Sequence, residues 1–357
     1  GKVEIENVIK EGVLQQEAYD VEHRTCRIKL DANENPYSLP IDLKEKLLHK
    51  ISSLSLNRYP SAGSPEMRSA IAGNLGVTDD MILIGNGADE LIQILLTAVK
   101  SESAGGILIP VPTFAMYKIS AINAGHNVIE ISLDDGFDLP LEKMLDVISE
   151  RRPGITFLSY PNNPSGNCFD VEKMEKIIAI SQGIVVVDEA YFHFSKKTFL
   201  PYIKKWDNLV ILRTLSKVGL SALRIGIMVG NPLLIHQLNK VRLPYNLNTV
   251  SQVAGQFFVE HEQEFLLRID QIISSREWLV DQLRNIDGIK PYPSDANFIL
   301  FSCCKDKNSV YEKLISKGIL VKNFPSYGPL KDCMRVTVGT EEENREFVKS
   351  LREIVIP

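Results

Sequence analysis

The chain is predicted to be an α/β protein: a large domain with a mostly parallel seven-stranded sheet flanked by helices, joined to a smaller α+β domain. Three observations predict it. Up to Pro244, short apolar runs alternate with amphipathic segments of helical period. Several runs, such as IVVV at 184–187, are apolar on both faces, as strands covered by helices on both sides are. Beyond Pro244 the alternation gives way to a long helical stretch and then to separate strands.

Strands of the large sheet are expected, in order, at Met81–Ile84, Gly106–Ile109, Val128–Ile131, Ile155–Leu158, Ile184–Val187, Leu209–Leu212 and Ile225–Val229, with helical patterns between most of them. A helical stretch follows from Asn248 to about Ile286, then strands near Phe298–Phe301, Ile319–Val321 and Met334–Val338 and a closing helix. The N-terminal segment, rich in Asn and Pro (DANENPYSLP), is too irregular to fold alone and is expected to pack beside the later strands. The expected division is 45–245 for the large domain and 1–44 with 246–357 for a discontinuous small domain.

Composition narrows the function. With 44% hydrophobic and 24% charged residues, 357 residues suffice for a large core. A net charge of -5, from 40 basic and 45 acidic residues interspersed along the chain, offers no basic stripe for nucleic acid. The opening GKVEIENVIKEG lacks the apolar core of a signal peptide, and no run of apolar residues is long enough to span a bilayer, so a cytosolic protein is expected. Cys26, Cys168, Cys303, Cys304 and Cys333 form no CxxC and no zinc spacing, and read as free, mostly buried thiols. His261 and Glu262 begin like a zinc-protease motif, but Phe265 stands where the second histidine belongs, so no metal site is expected.

In such a sheet, ligands bind beyond the carboxyl ends of the strands. After MILI comes GNGADELIQILL, where glycines open a helix; the free amides of Ala88 and Asp89 form either a phosphate cradle or a simple tight turn. After FLSY comes PNNPSGN, an Asn-Pro turn that aims amide side chains over the sheet end. After IVVV comes Asp188, a carboxylate that either caps the next segment or needs a cation. After LVIL comes TLSKVGLSALR, in which Lys217 has no acid near it in sequence and Thr214, Ser216 and Arg224 surround it. Pyridoxal 5'-phosphate uses all four loops: an aldehyde for a lysine, a ring nitrogen that an aspartate keeps protonated, a phenolic oxygen and a phosphate. An Asp–pyridinium contact at about 4 Å and an effective dielectric near 20 is worth roughly 4 kcal/mol.

Nine motifs in order, KLDANENPY, NRYP, GNGADELI, PVPTFAMY, SYPNNPSGN, VVVDEAY, RTLSK, LRIG and MRVTVGT, cover nearly the whole chain. With them the sequence resembles the fold type I pyridoxal-phosphate aminotransferases, and among these the histidinol-phosphate aminotransferase family. The resemblance implies that Lys217 forms a Schiff base with the cofactor and moves the substrate's proton, that Asp188 pairs with the ring nitrogen, and that Tyr191 and Asn163 bond the phenolic oxygen. It implies that Phe114 stacks on the ring, and that Thr214, Ser216, Arg224 and the Ala88 and Asp89 amides hold the phosphate. Tyr59 of NRYP would reach the neighbouring subunit's cofactor, which makes a homodimer. Arg335, Lys322, Tyr19, Asn33 and Asn163 would face the substrates, histidinol phosphate and glutamate or 2-oxoglutarate.

Three positions depart from the family's pattern. Phe114 stands where many members carry Tyr, and Lys322 where many carry Arg, which keeps the charge without the fork. The interval from Lys217 to Arg224 is one residue shorter than in many fold type I enzymes. Aminotransferases of aromatic or other amino acids and threonine-phosphate decarboxylase share the same pattern, and a catalytically silent ligand sensor on this fold is a reading from another class.

Overall fold

The apolar runs are strands, twelve in all among the described residues. The structure, a computed structural model, describes residues 1–101, 105–304 and 306–356. The strands are β1 Ile28–Leu30, β2 Ile82–Asn86, β3 Ile107–Val111, β4 Val128–Ser132, β5 Ile155–Ser159, β6 Ile184–Asp188, β7 Leu209–Thr214, β8 Ile225–Val229, β9 Ile289–Pro291, β10 Phe298–Cys303, β11 Ile319–Asn323 and β12 Cys333–Thr337. Seven form the large sheet, in the order β2-β8-β7-β6-β5-β3-β4. The β6 run explains its own composition: Val185 and Val187 join the core on one face and Val186 the core on the other, so alternation is lost because both faces are buried.

One strand of the large sheet runs against the rest. β8 is antiparallel to both β7 and β2, whereas β4, β3, β5, β6 and β7 are mutually parallel. The cause is the connection. Between β7 and β8 lie only two 3-10 turns, at Ser216–Val218 and Ser221–Leu223, too short to cross over the sheet. β8 therefore begins where β7 ends, with Gly226 opposite Thr214 and Ile225 opposite Asn86. That reversal carries Arg224 to the functional edge of the sheet.

The smaller sheet has the order β1-β11-β12-β10-β9, with β1 parallel to β11 and the other pairs antiparallel. Its first strand comes from the N-terminal segment. β1 and β9 were not expected; each has three residues with a buried-exposed-buried pattern, too short to register as periodicity. The helical stretch from 248 breaks into Thr249–Glu260, Glu262–Leu266 and Ile269–Arg284, the first break falling at His261 with φ -120° and ψ 26°. The expected boundary at 44/45 falls inside the helix Ile41–Ser52, and Thr249–Glu260 packs on that helix and on Pro65–Leu75. Cys303 and Cys333 are buried, Cys26 and Cys168 partly so, and Cys304 is exposed; none of the five is in a disulfide. Among the described residues no cluster of three His, Cys, Asp or Glu could hold a metal ion, and no helix is long and apolar enough to cross a membrane.

Candidate active site

Two adjoining cavities, of about 330 and 790 Å³, open at the carboxyl ends of β5, β6 and β7. They share Ala32, Phe114, Asn163, Tyr191, Lys217 and Arg224. The inner, smaller one also receives Ala88, Asp89, Tyr117, Ser159, Asp188, Thr214, Ser216 and Ser221. The outer one receives Tyr19, Asn33, Lys322 and Arg335.

Lys217 sits where β7 leaves the sheet, and its Nζ donates to the Ala32 carbonyl at 3.4 Å, 5.6 Å from the centre of the Tyr191 ring. Burial, with Arg335 and Arg224 nearby and Glu34 opposing them, brings its ammonium down to about 8. A usable fraction of neutral amine at physiological pH follows, which is what a nucleophile or proton carrier needs.

Asp188 ends β6 with its side chain buried. Its Oδ2 accepts from Tyr117 Oη at 2.5 Å and its Oδ1 from the Ala190 amide at 3.1 Å. Burial pushes the carboxyl up to about 6, while those two hydrogen bonds pull it back toward the ionised form. The next residue, Glu189, faces the other way and pairs with Arg213 at 2.8 Å. Asp188 is therefore an acid without a cationic partner of its own, aimed at the inner cavity.

The loop from Thr214 to Arg224 closes despite its short spacing. Thr214 Oγ1 donates to Ser216 Oγ at 3.0 Å, and Arg224 Nη1 to Ser216 Oγ at 3.3 Å. Backbone bonds from Leu215 to the Ile225 carbonyl and from Leu220 to the Leu215 carbonyl tie the turn, and Gly219 takes φ 115°. Arg224 itself is left-handed, with φ 54°, and its carbonyl receives the Gly87 amide at 2.7 Å. Gly87 opens the helix Gly87–Ala98, and a Cβ there would meet Arg224 Nη2 at 2.9 Å. Glycine is favoured there by φ +77°, and its bare Cα leaves room for the guanidinium. Two hydroxyls, a guanidinium and a helix N-terminus thus converge, the set that holds a phosphate.

A family model for aminotransferases of class I and II matches residues 26–351. The chain belongs to that family. This aminotransferase is 37% identical over 350 residues to the histidinol-phosphate aminotransferase of Aquifex aeolicus, covering 98% of each chain. It is 41% identical over 347 residues to histidinol-phosphate aminotransferase 2 of Nitrosococcus oceani, covering 96% of each. The solved histidinol-phosphate aminotransferase of Sinorhizobium meliloti, in complex with pyridoxal-5'-phosphate, superposes with a TM-score of 0.86 over 97% of each chain at 21% identity, a likeness of fold.

In the aminotransferase's outer cavity, Arg335 and Lys322 lie directly opposite each other across β11 and β12. Arg335 Nη1 donates to Asn163 Oδ1 at 2.6 Å and Nη2 to the Asp31 carbonyl at 2.7 Å, while Nε is buried without a hydrogen bond. Because Asn163 Oδ1 accepts from Arg335, its amide nitrogen is left to donate elsewhere. Burial and the proximity of Arg335 hold Lys322 below the usual lysine range.

Two expected site residues stand differently from the rest. Asn33 lines the outer cavity, but its Nδ2 donates to Tyr191 Oη at 2.9 Å and its Oδ1 accepts from Thr337 at 3.2 Å. It holds Tyr191, and leaves the Tyr191 proton available to another acceptor. Tyr59 lies outside both cavities of its own chain; it is 81% exposed and stacks on Tyr245 with ring centres 4.6 Å apart. Tyr19 lines the mouth of the outer cavity, half exposed. Sequence reasoning missed Tyr117, Ser159 and Ser221. For Tyr117 a signal existed, since it follows Phe114 by three residues and helical spacing puts both on one face.

Proposed function

We propose that this aminotransferase moves an amino group between glutamate or 2-oxoglutarate and imidazole-acetol phosphate or histidinol phosphate, with pyridoxal phosphate in the inner cavity. The observation that carries the reading is the pair of cations, Arg335 and Lys322, on the wall of a cavity that is continuous with Lys217. Such a pair suits anionic donors, the two carboxylates of glutamate and the phosphate of histidinol phosphate, which has no carboxylate. The identity to two histidinol-phosphate aminotransferases over nearly the full chain supports the same substrate.

The inner cavity fits the cofactor on its own features: the convergence at Arg224, the unpaired acid Asp188 and the amine of Lys217. When bound, pyridoxal phosphate supplies an aldehyde and a protonated ring that accepts the electrons of a cleaved bond. Lys217 would tether it through Nζ, and its amine would carry the proton taken from the substrate Cα. Asp188 keeps the proton on the ring nitrogen. Tyr191 and Asn163 donate to the phenolic oxygen, Phe114 packs on the ring face, and Thr214, Ser216, Arg224 and the Ala88 and Asp89 amides hold the phosphate. Arg335 binds the α-carboxylate of glutamate, and Lys322 with Tyr19 faces the far end of the substrate.

The active form proposed is a homodimer in which Tyr59 reaches the neighbouring site. Its support is the exposure of apolar side chains next to the Tyr59–Tyr245 stack in sequence: Leu56, Leu243 and Tyr245 are 82%, 72% and 50% exposed. The large domain is placed at residues 45–245 and the discontinuous small domain at 1–44 with 246–357, and five cysteines outside any disulfide favour a reducing, cytosolic setting.

Rapid mixing of the cofactor-loaded protein with single amino donors tests the substrate. Histidinol phosphate is expected to convert the bound cofactor fastest. Faster conversion by phenylalanine or tyrosine would assign an aromatic aminotransferase, and carbon dioxide released from threonine phosphate a decarboxylase. No conversion by any donor would leave a ligand sensor.

A further inference from the structure

Tyr117 is fully buried yet lines the inner cavity. Its ring lies parallel to Phe157, with centres 4.6 Å apart and planes at 6°, and meets Phe114 edge-on at 5.4 Å. For packing alone a phenylalanine would serve better, since a buried hydroxyl is unfavourable unless bonded. This hydroxyl is bonded, to Asp188 Oδ2 at 2.5 Å.

We propose that Tyr117 is a positioning residue: its hydroxyl orients the Asp188 carboxylate toward the cofactor's ring nitrogen and favours its charged form. The inference rests on reading the inner cavity as the pyridoxal-phosphate site. Each oxygen of Asp188 takes one donor, Tyr117 Oη on Oδ2 and the Ala190 amide on Oδ1, which stops the carboxylate from rotating and leaves lone pairs for a ring N–H. The neighbours work the other way. Asp89, from the helix Gly87–Ala98, and Glu189, the residue after β6, both favour the neutral acid, as burial does. Tyr191, just beyond β6, is held above the usual tyrosine range by burial and by the Asp188 charge, so it stays neutral where Asp188 titrates. Of these, the side chain that favours the charged form is Tyr117. Without its donor, the buried acid would take up a proton and lose its hold on a protonated ring.

The test is a double-mutant cycle of Tyr117→Phe and Asp188→Asn. In the cofactor-free protein, the infrared band of the protonated Asp188 carboxyl, identified by its absence in Asp188→Asn, is followed against pH. Tyr117→Phe is expected to move its midpoint up by about one to two pH units, the usual strength of a hydrogen bond to a charged group. Pyridoxal phosphate should bind Tyr117→Phe roughly ten to a hundred times more weakly at pH 7, with no further loss when the change is added to Asp188→Asn. An unmoved midpoint, or an equal loss in both backgrounds, makes Tyr117 a packing residue and overturns the proposal. A moved midpoint in a protein whose wild type takes up no pyridoxal phosphate overturns the cofactor reading and the role toward the ring nitrogen with it. Should Tyr117→Phe not fold, 3-fluorotyrosine at position 117 offers a more acidic donor; it should lower the midpoint, and an unchanged or raised one contradicts the proposal.

Discussion

Arg335 fastens the two sheets to each other at the site: from β12 of the small sheet its Nη1 reaches Asn163, beyond β5 of the large sheet, at 2.6 Å. The second terminal nitrogen holds the Asp31 carbonyl just past β1. A lysine at this position keeps the charge but cannot make both bonds. Arg335→Lys is therefore expected to raise KM for glutamate by about ten- to a hundredfold, with a smaller loss in kcat. Steady-state kinetics with glutamate as varied donor checks it, and an unchanged KM would show that the fork is not used.

Asp188 sets stability against function. Its folded pKa, about 6, lies above the ordinary aspartate value, so the folded chain binds this proton more tightly than the unfolded chain does. The resulting stabilisation is present below about pH 4 and is lost as pH rises through about 6. At neutral pH, Asp188→Asn should make the cofactor-free protein more stable, by roughly 1–3 kcal/mol, while weakening cofactor binding. Urea unfolding at pH 7 and pH 4 reads this directly. A lower midpoint at pH 7 for the variant would mean that the acid is compensated in the native state.

Lys217 predicts a pH profile. Only the neutral amine attacks an aldehyde, and the group titrates near about 8. The rate at which pyridoxal phosphate attaches to the free protein should rise with pH through about 8 and then level off. Stopped-flow absorbance gives the midpoint. A rate still climbing above pH 10 would place the amine in ordinary, solvated surroundings.

Tyr59 separates the chain from its assembly. Exposed on the surface and stacked on Tyr245, it contributes little to folding of one chain, so Tyr59→Ala should change stability by less than about 0.5 kcal/mol in dilute monomer. In a dimer that shares its sites, Tyr59→Ala and Lys217→Ala are each impaired, and mixing the two inactive proteins should restore partial activity. Complementation after subunit exchange checks it; none would argue that each chain's site is complete.

Much of this site was legible because its chemistry is local in sequence. Strand ends carry Asp188, Lys217 and Arg224, and most strands of the large sheet were marked by runs whose two faces are both buried, the edge strand β4 with its exposed Glu130 excepted. The observed strands mostly extend a residue or two past the apolar runs, into Asn86, Ser132, Asp188 and Thr214, because backbone pairing continues where the apolar side chains stop. The direction of β8 was not legible, since periodicity carries no polarity; it is dictated by the short turn before it. Asn33 was expected at the substrate; it lines the outer cavity and also braces Tyr191, a contact across 158 residues that no local pattern encodes. The bond from Tyr117 to Asp188 was hidden for a similar reason, its partner lying 71 residues away.

The central claim is that Lys217 carries pyridoxal phosphate, and borohydride reduction of the loaded protein followed by peptide mapping tests it most directly. The account predicts one pyridoxyl group per chain, on the peptide that contains Lys217, and none in Lys217→Ala. A pyridoxyl group on another lysine, or none at all in the wild-type chain, would contradict it.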